Sequence, residues 1–527
     1  MFEDGWGLSL IVFLPVVGAG AVLLIPRAQE QAQKLTALLF AGASFALSVF
    51  LAIGFDYGVA GFQANTAADT TWIGAINSHY HIGVDGISLP LLVLSTLMTL
   101  LSIVYSWNHW PEPENPKAFL VLILVLATGM AGTFVALDLI LFFVFFEVVL
   151  LPMYFMIGIW GDKNKVKLPV VERVVEMRIY ASLKFFLFTL FGSAFMLLGF
   201  LALYFRSGDG AAQRTFDIVE LSMRSDLFTG VFAFWVFAAL FLGFAVKVPM
   251  FPFHTWLPDA HTAAPTVGSV LLAAILLKLG TYGFVRIALP ILPNEAEEWA
   301  WFIGVLAVIG IIYASLACLA QTDMKRLIAF SSVGHMGFVM LGIATLTDIG
   351  INAAIIGMVA HGAITGMLFF VVGSMSHRYH TRDMARLGGN QKLMPIMGGI
   401  FGFVAMASLG LPGLAGFWGE FMALLASWQP AAALSTDLFR TLMVIGAVGT
   451  VLTAGYMLWM LQRVNFGEPP EEWSSHELHD VDKWEMAAWV PLLAGILVLG
   501  VFPRLVFGAT NDAVIEMIEA GWRFVGG

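Results

Sequence analysis

The sequence predicts an all-α polytopic membrane protein of about fourteen helices. Three observations carry this. Of its 527 residues, 59% are hydrophobic and only 12% charged, where an ordinary soluble protein is about 25% charged. The apolar residues fall into runs of about 20, the length that crosses a bilayer core. Several of these runs also hold lysine, glutamate or histidine, and lysine at the centre of a membrane helix costs roughly 2.5–3.5 kcal/mol. A chain that carries such costs is expected to contain a polar path inside the bilayer.

Taken in order, the runs cover about 6–26, 34–56 and 86–107, then 117–135, 138–160, 180–205, 229–250 and 264–290. They continue over about 299–321, 326–346, 350–376, 393–427 and 437–465, and end at 485–503. The first run lacks a basic flank and a small-residue cleavage site, so it reads as a retained helix rather than a signal peptide. The loops alternate in basic content. Arg27 and Lys34 follow the first helix, and Lys117 precedes the fourth. Lys163, Lys165, Lys167, Arg173 and Arg178 follow the fifth, Lys325 and Arg326 separate the ninth and tenth, and Arg378, Arg382, Arg386 and Lys392 follow the eleventh. The opposite loops are basic-poor, save for three arginines in 206–226. The positive-inside rule puts the basic loops in the cytoplasm and both termini outside. The formal charge of −10 is spread over loops and argues against nucleic-acid binding. The single cysteine, Cys318, excludes an internal disulfide and a cysteine-ligated cluster and reads as packing.

Two runs are broken. The first is Lys247-Val-Pro-Met-Phe-Pro-Phe-His-Thr-Trp-Leu-Pro-Asp-Ala-His-Thr-Ala-Ala-Pro, ending the seventh helix. The second is Leu411-Pro-Gly-Leu-Ala-Gly-Phe-Trp-Gly-Glu420, inside the twelfth. Proline and glycine at membrane depth are tolerated where the freed carbonyls face protein or water. Breaks at matching places suggest internal repeats around a midplane site. Helices four to eight and nine to thirteen would form two five-helix units, and an odd number inverts the second. The expected organisation is a three-helix segment (1–110), a first unit (117–290), an inverted second unit (299–467), and a C-terminal loop with the fourteenth helix (468–527).

The candidate site residues are the ionisable groups in these apolar runs. Glu147 stands in Phe-Phe-Val-Phe-Phe-Glu147-Val-Val-Leu-Leu-Pro, where apolar surroundings disfavour its charged form. It reads as a proton site paired with Lys247, or as a plain structural ion pair. Lys247 and Lys278 follow the same logic with opposite sign. Their simpler reading is a snorkelling side chain, which Leu271 to Leu277 makes hard for Lys278. His335 and His361 lie in the tenth and eleventh helices and can pass a proton between two nitrogens, though a lone helix histidine is often only a packed hydrogen-bond partner. Glu420 follows the second break, where carbonyls and water can surround it, or it simply caps a helix end. His254, Asp259 and His261 flank the first break and read as a polar entrance rather than a metal site. The pairs His377/His380 and His476/His479 read as solvated loop residues. With no strand pattern to hold a dinucleotide loop, nucleotide or flavin chemistry is expected elsewhere.

The Lys247–Pro265 motif, with Ser269 and Leu-Leu-Lys278-Leu-Gly-Thr-Tyr-Gly after it, closely resembles the antiporter-like subunits of respiratory complex I, and also subunits of Mrp-type cation/proton antiporters. Within that family the chain is most similar to the branch that carries glutamate rather than lysine at the Glu420 position and lacks a long lateral helix. The resemblance implies a driven proton channel in the membrane arm of a bacterial inner-membrane NADH:quinone oxidoreductase. Glu147 and Lys247 would then be the input pair, Lys278 the central relay, His335 and His361 further relays, and Glu420 the exchange site with the outer side. FMN, iron–sulfur clusters and quinone would belong to partner subunits, foremost neighbouring antiporter-like ones. Two other readings stay open: a subunit of an Mrp-type Na⁺/H⁺ antiporter, and a structural scaffold of the membrane arm.

Overall fold

The structure, a computed structural model, describes residues 6–63, 67–167, 174–210, 213–474 and 477–522. Arg173 and His476 lie outside the described residues. Among those described, thirteen helices are long and apolar enough to cross a membrane. They are Trp6–Leu24, Glu30–Ile53, Ser88–Tyr105, Pro116–Val135, Leu139–Trp160, Met177–Arg206, Gly230–Lys247, Thr266–Ile291, Pro293–Leu319, Met324–Ala344, Asp348–Tyr379, Thr436–Val464 and Lys483–Val501. The remaining crossing is the broken twelfth segment, Pro395–Ser408 followed by Gly416–Trp428. Helices suit this chain because each satisfies its own backbone hydrogen bonds where no water is present.

The bundle has a centre and a rim. Thr266–Ile291, Met324–Ala344 and Asp348–Tyr379 are almost wholly buried, while Glu30–Ile53, Thr436–Val464 and Lys483–Val501 expose most of one face. The rim shows rows of large apolar side chains, such as Leu183, Leu187 and Leu198 on Met177–Arg206. Several ionisable side chains of the crossings lie inward. Lys247, Lys278, His261, His361 and Glu420 are all buried.

Both breaks are closed by hydrogen bonds outside the helical ladder. In the seventh crossing the helix stops at Lys247 and resumes as Trp256–Ala263. The indole of Trp256 donates to the Val246 carbonyl at 2.9 Å, satisfying an acceptor the prolines leave free. In the twelfth, Gly410 and Gly413 adopt φ of +79° and +92°, values that favour glycine. The loop between the two helical pieces is tied to the last crossing. Ala415 N–H donates to Ile496 O at 3.1 Å, and the Trp418 indole donates to Gly500 O at 2.8 Å.

Three features depart from the sequence expectation. The eighth crossing is not one regular helix: wide π-turns at Leu272–Leu276 and Phe284–Ala288 interrupt it on either side of Lys278. The loops are not strand-free, since Ala68–Ile73 pairs antiparallel with Ser78–Ile82, and Lys165–Lys167 with Val174–Glu176. A further helix, Arg504–Trp522, follows the fourteenth crossing and buries Val506, Ala513 and Val514 while exposing Asn511 and Asp512.

Candidate functional site

The π-turns set the position of Lys278. Its side chain is fully buried. Its Nζ donates to the Ala273 carbonyl at 2.5 Å, inside the first wide turn, and lies 2.6 Å from His361 Nδ1. Single π-turns inside helices recur at functional sites because they redirect one helical turn. Here the redirected turn aims a lysine at the eleventh crossing.

From His361 the line continues to the tenth and twelfth crossings. The ring of His361 lies 5.7 Å from that of His335, centroid to centroid. His335 Nδ1 meets Glu420 Oε1 at 2.7 Å, and its Nε2 lies 3.3 Å from the Ser408 hydroxyl. Between the two histidines lies a cavity of about 30 Å³, lined by both rings, Ser408, Thr365 and Glu420. A water needs about 10–15 Å³ by this measure, so the gap has room for one or two. The buried Nε2 of His361 has no protein partner and is left for such a water. Small residues make the space. Gly357 and Gly419 touch back to back, and a Cβ at Gly419 would come within 2.6 Å of Gly357 Cα.

Glu147 and Lys247 lie on the other side of Lys278. Glu147 is half-buried, stands near Ser193 and faces Lys247 electrostatically, but the two charged groups are not a contact ion pair. Lys247 Nζ instead sits 4.4 Å from the centre of the Phe146 ring, a cation–π contact. Lys247 packs against the eighth crossing at Gly280, where a Cβ would meet Lys247 Cβ at 3.0 Å. Gly280 stands two residues from Lys278 on that helix, so Lys247 packs on the side of the eighth crossing away from the one that carries Lys278 to His361.

The trio around the first break does not form one mouth. Asp259 is an ion-pair residue, 2.7 Å from Lys184 and 3.5 Å from Arg326. His254 packs among Phe251, Tyr313 and Phe330. His261 is fully buried, stacks on Phe369 at 4.5 Å, and has no protein partner on either ring nitrogen. His377 and His380 are exposed, as expected, and the His377 ring stands 5.7 Å from that of His109. His109, Asp482 and Glu485 converge closely enough to hold an ion. The Arg378 guanidinium already takes both oxygens of Glu485, at 2.8 and 2.7 Å, which makes this an ion-pair cluster.

Sequence reasoning missed five participants. Lys325 is not a loop residue: it is buried in the first turn of the tenth crossing and donates to Ala264 O. Ser193 and Ser408 carry no signal in the sequence, since serines are common in helices of this kind. Asp85 and Arg286, 201 residues apart, form a buried ion pair at 2.6 Å.

A bundle of fourteen crossings, broken at two places and threaded by buried lysines, histidines and glutamates, defines a membrane protein of the antiporter-like class. A family model described as NADH:quinone oxidoreductase/Mrp antiporter, transmembrane, matches residues 136–453. Another, described as NADH-ubiquinone oxidoreductase chain 4, amino terminus, matches residues 38–133. The chain belongs to the NADH:quinone oxidoreductase/Mrp antiporter family. It is 42% identical to NADH-quinone oxidoreductase subunit M of Rhodobacter capsulatus, over 97% of this chain and 96% of that one. It is 37% identical to NADH-ubiquinone oxidoreductase chain 4 of Chondrus crispus, over 97% of each. Among solved structures, a chain of respiratory complex I from Thermus thermophilus superposes with a TM-score of 0.84 at 28% identity, covering 99% of this chain and 100% of that one. A chain of the Mrp complex from Dietzia superposes at 0.81 with 20% identity, covering 97% of each, which shows the shared fold alone.

Proposed function

We propose that this chain is a proton-translocating subunit in the membrane arm of a bacterial NADH:quinone oxidoreductase. The observation that carries the reading is the series Lys278, His361, His335 and Glu420, with contacts of 2.6 and 2.7 Å at its ends and a small cavity at its centre that both histidines, Ser408 and Glu420 share. Protons enter from the cytoplasm, where the basic loops lie, load Lys278, cross the histidines and leave through Glu420. Both termini face the outer side. The two five-helix units act as inverted halves, each with its own broken helix. Electron transfer from NADH to quinone, with its FMN and iron–sulfur clusters, takes place in partner subunits, which fits a chain with one buried cysteine.

The Glu147–Lys247 pair supplies the drive. A unit charge at 4 Å is worth about 4 kcal/mol at an effective dielectric near 20, or about a thousandfold in proton affinity. Movement of Glu147 toward or away from Lys247, driven by a neighbouring subunit, is therefore enough to load and unload a lysine.

The test is Lys278→Met in the assembled complex, in vesicles energised with NADH. The expected result is loss of proton pumping with the complex still assembled. Unchanged pumping would favour a structural scaffold. Sodium-dependent proton exchange by the same vesicles without NADH would favour the Mrp-type reading.

A further inference from the structure

The basic face of the bundle opens into a vestibule of about 380 Å³, with Asp162, Lys325, His377 and Arg382 in its walls. Its floor is the C-terminal end of the half-helix Trp256–Ala263 that follows the first break. Three donors close the last carbonyls of that half-helix. Arg382 Nη1 donates to Thr262 O at 2.8 Å, the Asp162 backbone N–H to Ala263 O at 2.8 Å, and Lys325 Nζ to Ala264 O.

The charges around this end are sorted unequally. Arg382 pairs with Asp162 at 2.6 Å and with Asp323 at 3.0 Å. Lys325 contacts no carboxylate among the described residues, although both acids stand near it. An anchor at a helix C-terminus wants a permanent cation, and arginine serves that purpose because it does not give up its proton. Arg382 already fills that role. Lysine differs from arginine in that its proton is labile in apolar surroundings. Among the described residues, Lys325 is thus a buried lysine at the vestibule floor that touches no carboxylate and can exchange a proton.

Inward from Lys325 the next titratable side chain is His261. It lies within electrostatic reach of both Lys325 and Lys278, and both of its ring nitrogens are free of protein partners. A buried histidine with no protein partner is a group for water to bond. The other charged or titratable groups around Lys325 are Asp162 and Lys163 from the loop after the fifth crossing, Asp323 before the tenth, His377 on the eleventh, Tyr105 at the end of the third, His109 and Glu112 after it, and Arg382.

We propose that Lys325 is the intake residue of the proton path, taking protons from the vestibule and passing them through water to His261 and then to Lys278. This rests on the proton-translocation reading above. The ammonium of Lys325 gives one proton, through water, to a ring nitrogen of neutral His261, leaving an amine and an imidazolium. The imidazolium gives the proton on its other nitrogen toward the Lys278 amine and returns to neutral. The Lys325 amine is reprotonated from vestibule water. One proton moves and no electron does.

Three variants of the full complex test this in inside-out membrane vesicles. Lys325→Arg keeps the charge and the donor to Ala264 but withholds the proton, so NADH-driven pumping is expected to fall about tenfold or more. Lys325→His, able to exchange a proton, is expected to retain more pumping than Lys325→Arg, with its optimum moved toward lower pH. Lys325→Cys is expected to be modified by a charged thiol reagent added on the cytoplasmic side. Normal pumping by Lys325→Arg, equal loss in the arginine and histidine variants without a change in pH profile, or protection of the cysteine from the reagent would each overturn the assignment. Lys278→Met is measured alongside. If it pumps normally, the translocation reading itself fails. If it is dead while Lys325→Arg pumps normally, only the intake assignment fails.

Discussion

Lys278 and His361 meet at 2.6 Å, side-chain nitrogen to Nδ1, at a point where neither side chain reaches solvent. Each is a costly residue to bury, and the contact lets one proton serve both. When Lys278 is an ammonium it donates to His361 Nδ1, which leaves the His361 proton on Nε2, and the His361 ring lines the cavity shared with His335. His361→Gln keeps a polar side chain of similar reach but has no second ring nitrogen. NADH-driven proton pumping measured by a pH-sensitive dye is expected to fall at least about tenfold, with the amount of assembled complex unchanged. Pumping near the wild-type rate would mean that the histidine only fills space.

Glu420 and His335 form the matching contact at the far end, at 2.7 Å. Glu420→Gln leaves a hydrogen-bond partner for His335 but no exchangeable charge, so the expected outcome is an assembled, uncoupled or stalled complex. Glu420→Asp keeps the carboxylate on a shorter stem. It is expected to retain part of the activity, since the cavity beside it has room for a bridging water. A comparison of proton and quinone-reduction rates in the two variants checks the order: wild type, then aspartate, then glutamine.

The Asp85–Arg286 pair is a structural matter. Both side chains are buried, and Asp85 Oδ1 also accepts from the backbone N–H groups of Ile87 and Ser88, at 3.1 and 3.0 Å. Arg286 sits in the second π-turn of the eighth crossing, so the pair fixes that turn against the start of the third crossing. Removing one partner strands a buried charge, at a cost of about 3–5 kcal/mol. Asp85→Ala is expected to lower the yield of assembled complex, measured on native gels. Asp85→Asn with Arg286→Met, which leaves the caps and removes both charges, is expected to recover part of it.

What could be read from the sequence follows from cost. Lys247, Lys278, Glu147 and Glu420 stand out because ionisable groups in apolar runs are expensive and therefore rare. The two breaks stand out because proline and glycine punctuate helices. The π-turns at 272–276 and 284–288 were invisible, because a one-residue slip in hydrogen bonding leaves no mark on an apolar run. Lys325 was hidden by its neighbour: beside Arg326, at the border between two crossings, it looks like a loop residue. His254, Asp259 and His261 looked like one cluster by spacing alone. Asp259 and His261 are two residues apart on the helix Trp256–Ala263, so at about 100° per residue they point in nearly opposite directions. Serines and short hairpins carry too little signal in a single sequence to be singled out.

The hairpin of Ala68–Ile73 and Ser78–Ile82 gives a pH-dependent contact outside the membrane-spanning segments. His81 Nδ1 bonds the Asp217 carboxylate. Burial pulls the His81 imidazole down, but the hydrogen bond and charge of Asp217, helped by Asp69 and Asp138, outweigh it and hold the group above its ordinary value of 6.5. A group raised on folding contributes stability that is fully present below the unfolded value and is lost as pH rises through the folded one. The tie between hairpin and loop is therefore strongest in acid and fades on the alkaline side. His81→Gln should lower the thermal stability of the purified complex most at pH about 6 and least at pH about 9. A difference that grew with pH instead would show that the contact is a neutral hydrogen bond whose charge plays no part.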